Sequence, residues 1–204
     1  MRLMNTMICI IGSDYIFPPK CVLDPVGAGA SALRTDTAKM LMSEIKFDVI
    51  RANMSEIKAA AGIYVATSGV DADSSDALTD NSLDAAVEFL KQVSQQTGAI
   101  IAVTGAADIV TDGTDAYIIR NGRPEMSKIT GTGCMLTAMT AAYAAANPDS
   151  KLTAVAHAVA VMGIAGELAH EYARGNASYR TGIIDEIYNM TDETLERMIK
   201  IEKR

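Results

Sequence analysis

Positive charge is scarce in this chain. Its 204 residues carry 18 Lys and Arg against 25 Asp and Glu, a net charge of −7. That balance argues against a general binder of nucleic acid or of an anionic membrane surface. Metal-ligand residue types are sparse too. The two histidines, His157 and His170, lie in apolar, helix-like surroundings, and no second ligand spacing accompanies them. Cys9, Cys21 and Cys134 are odd in number and lack metal-like spacing. They suggest a reducing cytoplasm and not a disulfide framework. Repeats and low-complexity linkers are absent, and the length suits one domain with a sizeable core. The opening Met1 to Ile11 is too short and poorly organised for a signal peptide. One run, Leu152 to Ala169, is nearly long enough to span a bilayer. It is alanine-rich and contains His157 and Glu167, so it reads as a buried core helix.

What is present alternates short β-rich runs with longer helical ones. This predicts an α/β fold with a mainly parallel central sheet flanked by helices. Val22-Leu23-Asp24 ends a strand, and the loop Asp24 to Ser31 follows it. Ala38, Leu41, Met42 and Ile45 recur at helical spacing. Val49 to Ala52 is a second strand, and Asn53 opens a short helix ending near Gly62. Thr67 to Asn81 reads as a surface loop, and Leu83, Ala86, Val87, Leu90 and Val93 mark an amphipathic helix. Ala99 to Val103 is a buried strand ending at Thr104-Gly105. Ile109 to Thr111 and Ala116 to Ile119 form a hairpin. From there the chain reads as helical almost to its end, with Thr191 capping the last helix.

Several candidate residues follow strands and should gather at one sheet edge, where open α/β folds bind ligands. Gly131-Thr132-Gly133-Cys134 precedes an alanine-rich helix. Two glycines let the backbone turn tightly, and the helix start offers unpaired N–H groups with partial positive charge. The result is an anion cradle suited to phosphate, or an ordinary glycine-rich strand-to-helix turn. At the cradle's mouth, the same field favours the Cys134 thiolate. Asp24, at a strand end, would hold Mg2+ or cap its own loop. Asn53-x-x-Glu56 fits a capping box, or a helix start that aims Glu56 at a metal. Arg51 interrupts a strand that otherwise reads as buried. It needs a partner, which a nucleotide phosphate, Asp24 or Glu56 would provide. The Thr104 hydroxyl would contact a phosphate or bond to its turn.

In order and spacing these pieces resemble the hydroxyethylthiazole kinase family, thiamine-salvage enzymes of the ribokinase-like superfamily. The resemblance rests on Asp24-Pro25-Val26-Gly27-Ala28-Gly29-Ala30-Ser31, Arg34-Thr35, Arg51-Ala52-Asn53-x-x-Glu56, Gly69-Val70-Asp71, Val103-Thr104-Gly105 and Asp112-Gly113. It continues through Asn121-Gly122, Thr130-Gly131-Thr132-Gly133-Cys134 and Ala165-Gly166-Glu167-Leu168-Ala169. It implies a ribokinase-like fold and transfer of the γ-phosphoryl of ATP, with Mg2+, to the alcohol of 4-methyl-5-(2-hydroxyethyl)thiazole. By resemblance Arg51 and Thr104 contact ATP and Gly131 contacts the thiazole. Cys134 is the catalytic position, as a base or as a packing residue. The turn from Gly131 to Cys134 is the anion hole, and Asp24 and Glu56 serve the metal. The family's homotrimer places active sites between subunits, and the apolar run Leu152 to Ala169 would support a large buried surface.

Two substitutions depart mildly from the family pattern: Ser31 stands where Thr is usual and Ala52 where Gly is usual. A larger departure is the lead-in. Only Met1 to Cys21 precedes the first motif, and Tyr15 to Lys20 does not resemble the family's. The resemblance therefore predicts a single domain over 1–204 with an atypical segment 1–21 and N-terminal elements missing. Weak activity, a non-catalytic remnant, or a related ribokinase-like small-molecule kinase are the alternatives.

Overall fold

The computed structural model describes residues 7–13, 17–62 and 80–204. Among these residues seven strands form one sheet in the spatial order of the chain: β1 (Met7–Ser13), β2 (Phe17–Asp24), β3 (Val49–Asn53), β4 (Ile100–Thr104), β5 (Asp108–Thr111), β6 (Ala116–Ile119) and β7 (Ile201–Lys203). The central strands β2, β3 and β4 run parallel, as the β/α alternation predicts. Antiparallel strands extend both edges: β1 on β2, then β5, β6 and β7 beyond β4. The strands β1 and β7 were not foreseen. Three residues, Ile201 to Lys203, are too few to show a period, and their pairing with β6 is fixed by tertiary contact.

Period-two alternation divides the core between the faces of the sheet. Val22, Val49, Ile100 and Ala102 face α4 (Thr132–Ala146), α5 (Lys151–His170) and α6 (Asn176–Tyr188). Their neighbours Leu23, Ile50, Ile101 and Val103 face α2 (Met54–Ala61) and α3 (Asp80–Thr97). The helix α1 (Ala32–Glu44) packs beside α2 through Ala38 and Ala60. A short α7 (Asp192–Met198) is capped by the Thr191 hydroxyl, which accepts from Thr194 N–H.

Most expected boundaries hold. Leu83, Ala86, Val87, Leu90 and Val93 are all buried on α3. Ile45 is the C-cap of α1 and not part of its helical face. The loop expected over Thr67 to Asn81, with the Gly69-Val70-Asp71 motif, lies outside the described residues up to 79; Asp80 and Asn81 already belong to α3. Among the described residues, α5 is the one helix long and apolar enough to cross a membrane. It is a core helix, with Val155, Val159, Ile164 and Ala165 buried against its neighbours. Most of its apolar length is covered within the chain, by α4, α6 and the sheet.

Candidate functional site

Because β2, β3 and β4 are parallel and adjacent, their carboxyl ends meet at one edge. The register sets Asn53 beside Thr104. Asp24 closes β2 with a side chain only 1% exposed. Arg51, 12% exposed, points along β3 to the same spot. Its Nη1 donates to Asp24 Oδ2 at 3.3 Å, and its Nη2 donates to Thr104 Oγ1 at 2.9 Å. So the partner question that Arg51 raised is answered within the chain by Asp24 and Thr104.

The start of α4 covers this pair. Gly131 is the N-cap with φ of 99°, a left-handed conformation that glycine adopts without strain. Gly133 favours glycine for a different reason: a Cβ there would come within 2.9 Å of Arg51 Nη1, whose guanidinium is held by Asp24 and Thr104. Four residues on, the buried Thr137 hydroxyl donates to Asp24 Oδ2 at 2.6 Å. The first-turn N–H groups of Thr132, Gly133 and Cys134 have no helical partner by construction. Cys134 is exposed and its thiol is free.

Glu56 sits at the margin of this cluster. Its Oε2 accepts from Asn53 N–H at 3.0 Å, and Asn53 Oδ1 accepts from Glu56 N–H at 2.8 Å, completing a capping box. Its Oε1 accepts from Gly27 N–H at 2.9 Å, which fastens the loop after β2 to α2. Its charge still reaches Asp24. Among the described residues no three His, Cys, Asp or Glu side chains group as a metal cage. Mg2+ seldom needs one, since it binds one or two carboxylates and completes its shell with water and substrate phosphates.

Two charged groups here have displaced affinities. Burial pushes the Asp24 carboxyl above its ordinary value, while Arg51 and the Thr137 hydroxyl oppose the shift. Asp108, half-buried at the start of β5, is pushed by burial to about 7, although it accepts from Gly105 N–H and feels Arg51. Among the described residues three buried side-chain polar atoms lack a partner: Asp24 Oδ1, Arg51 Nε and Thr140 Oγ1. Buried polar groups are normally paired, so two orphans on one ion pair leave capacity for a further partner here. A phosphate-bearing nucleotide with a divalent cation fits it, because the orphans are one anionic acceptor and one cationic donor beside a helix start. A cavity of about 400 Å³ opens alongside, between Lys128–Gly131 and the first turns of α6 at Asn176, Ala177 and Arg180.

The hydroxyethylthiazole kinase family model matches residues 4–193. The chain belongs to the hydroxyethylthiazole kinase family. Over 184 residues it is 53% identical to the hydroxyethylthiazole kinase of Clostridium acetobutylicum, covering 89% of this chain and 67% of the relative. The hydroxyethylthiazole kinase of Clostridium beijerinckii is 43% identical, covering 89% of this chain and 66% of the relative. The solved hydroxyethylthiazole kinase protein from Pyrococcus horikoshii superposes with a TM-score of 0.76 at 30% identity, covering 90% of this chain and 65% of that one. The chain thus spans about two thirds of the length of these relatives. A pyridoxal kinase from Staphylococcus aureus, solved with AMP-PCP, shares the ribokinase-like fold at a TM-score of 0.57 and 20% identity, over 90% of this chain and 62% of that one.

Within the family's motif set, the structure brings Asp24, Arg51, Thr104 and the Gly131–Cys134 turn together, with Glu56 adjoining. Thr137 and Asp108 belong to the same cluster and escaped the sequence reading. Thr137 lies inside an apolar helical run, where a threonine carries no signal. Asp108 is the first residue of β5, and a lone carboxylate at a strand end gives no hint of burial. The Asn121-Gly122 and Ala165-Gly166-Glu167 motifs bond to each other. Glu167 Oε1 accepts from Gly122 N–H at 2.9 Å, and a Cβ on Gly163 would come within 2.7 Å of the Asn121 backbone.

Proposed function

We propose that the chain transfers the γ-phosphoryl group of ATP to the primary alcohol of 4-methyl-5-(2-hydroxyethyl)thiazole. The observation that carries this is the buried Asp24–Arg51 pair, with one unpartnered atom on each side, lying against the first turn of a glycine-started helix. Family membership supplies the substrate class.

Phosphoryl transfer needs positioning and charge neutralisation more than covalent chemistry. In this reading Arg51 and Thr104 hold the nucleotide, with Arg51 braced by Asp24. The N–H groups at Gly131, Thr132, Gly133 and Cys134 form the anion hole and stabilise charge on the moving phosphoryl. Gly131 borders the thiazole, and its lack of a side chain leaves the approach open. Asp24 and Glu56 hold Mg2+, which, when bound, neutralises the polyphosphate. These local cations and donors let a protein of net charge −7 accept an anionic substrate. Cys134 stands at the alcohol. The reading also includes a cytoplasmic homotrimer, which sedimentation at micromolar concentration would test.

A steady-state assay with Mg-ATP and the thiazole alcohol tests the activity. Turnover that saturates in both substrates is expected. No turnover over a broad enzyme range would overturn the reading. Cys134→Ala then resolves the role of the thiol. Loss of kcat with nucleotide affinity intact assigns it to the transition state, and unchanged kcat leaves it as a packing residue.

A further inference from the structure

The Thr137 hydroxyl has one proton and two acceptors within reach: Asp24 Oδ2 at 2.6 Å and Gly133 O, one turn back on its own helix, at 3.1 Å. Threonines in helices commonly return their proton to that preceding carbonyl. Here the shorter contact is to a carboxylate, and charge-assisted O–H···O bonds of this length are the stronger kind. So the proton goes across to β2. The residue is fully buried, and such a bond has no competition from water.

Spacing explains the choice of position. Gly133 and Thr137 are four apart and share one face of α4. Gly133 lies against the Arg51 guanidinium, and Thr137 bonds the Asp24 carboxylate. Arg51 and Asp24 bond each other. The result is a closed loop from helix to arginine to carboxylate and back to the helix. Both donors use Asp24 Oδ2, which fixes the carboxylate plane and leaves Oδ1 buried and free.

We propose that Thr137 is a positioning residue that locks the Asp24 carboxylate and the first turn of α4 into one register. This rests on the kinase reading of the site. The free Asp24 oxygen and the Gly131–Cys134 cradle must address the same polyphosphate, from a strand and from a helix that otherwise meet through apolar packing and the Gly133–Arg51 contact. Misplacement of ~1 Å in such a site is worth on the order of a hundredfold in rate. Thr137 sets their separation with one bond. It touches neither the nucleotide nor the alcohol.

The test compares Thr137→Val, which keeps the shape and removes the donor, with Thr137→Ser, which keeps the donor. Each is made alone and in an Asp24→Asn background. In Thr137→Val, kcat should fall at least tenfold while KM for the thiazole alcohol stays within threefold. Calorimetry with a non-hydrolysable ATP analogue gives a readout independent of turnover. The gain in its affinity on adding Mg2+ should shrink at least fivefold in Thr137→Val and recover in Thr137→Ser. In the Asp24→Asn background, Thr137→Val should add less than twofold to either effect. Equal behaviour of Val and Ser, or full additivity with Asp24→Asn, overturns the proposal. If Thr137→Val does not fold, Thr137→Ala carries the same expectations. An inactive parent chain would sink the kinase reading alone, because the calorimetric cycle still reads the coupling between Thr137 and Asp24.

Discussion

Two polar clusters lie along the carboxyl edge of the same sheet, one buried at Asp24 and Arg51 and one partly exposed beyond β6, and they differ in completeness. At Asn121, Glu167 and Lys200 nearly every group is matched. Asn121 donates to Met198 O at 2.9 Å and accepts from Lys200 N–H at 2.8 Å. Glu167 accepts from Gly122 N–H and from the Lys200 ammonium, the latter at 3.0 Å. This cluster ties β6 and α5 to the segment that leads into β7. At Asp24 and Arg51 the pairing is deliberately incomplete in a physical sense: each partner keeps one buried atom without a bond. A saturated cluster rigidifies. An unsaturated one holds binding capacity in reserve, and the fold bears the desolvation cost.

The largest difference should appear on cutting each cluster once. Arg51→Ala removes the counter-charge of Asp24 and, in the proposed reading, a nucleotide contact. Turnover should fall by about two to three orders of magnitude, the scale seen when a transition-state donor is removed. Glu167→Ala should leave kcat within about threefold. Its expected cost is in stability, about 2–3 kcal/mol by urea unfolding, because Gly122 N–H and the Asn121 amide lose a buried acceptor. Comparable losses of turnover in both variants would erase the distinction.

A pH series sharpens it. A carboxyl whose affinity is raised on folding binds its proton more tightly in the native chain. Asp108 therefore favours the fold at low pH, and that contribution is lost as pH rises from 3.8 through about 7. Asp108→Asn keeps an acceptor for Gly105 N–H and removes the ionisation. Its stability relative to the parent should improve between pH 4 and pH 8 by on the order of 2 kcal/mol. That is less than the ~4 kcal/mol implied by the full displacement, since the residue retains contact with water. A difference that is flat with pH would show that Asp108 titrates normally.

The smallest effect belongs to a region outside both clusters. Thr191→Ala deletes the cap of α7 and should cost about 1 kcal/mol, with no change in turnover. Any loss of activity there would mean that the C-terminal segment communicates with the Asp24–Arg51 cluster.

How much was legible varied with the range of the interaction. The capping box of Asn53 and Glu56 depends on residues three apart, and it formed as its spacing predicts. The α3 face and the hairpin of β5 and β6 are likewise local periods. Cross-chain partners were not legible. Thr137 reaches Asp24 across 113 residues, and nothing in its alanine-rich surroundings announces a polar contact. Similarly, the helical spacing of Leu152 to Ala169 shows that it must be covered, but not by what; α4 and α6 cover it here.

The sequence by itself determined the elements other than β1 and β7, the strand-end position of the candidate residues and the family, because propensity, period and motif spacing act over short stretches of chain. Only the tertiary structure decided the pairings among them: Arg51 with Asp24, Thr137 with the same carboxylate, Gly133 against the guanidinium, Glu56 with the Gly27 N–H. Those bonds join residues that the chain keeps far apart. Each exists because sheet register and helix packing bring its groups within about 3 Å, where a hydrogen bond between buried groups is strong and a gap of one ångström more would leave none.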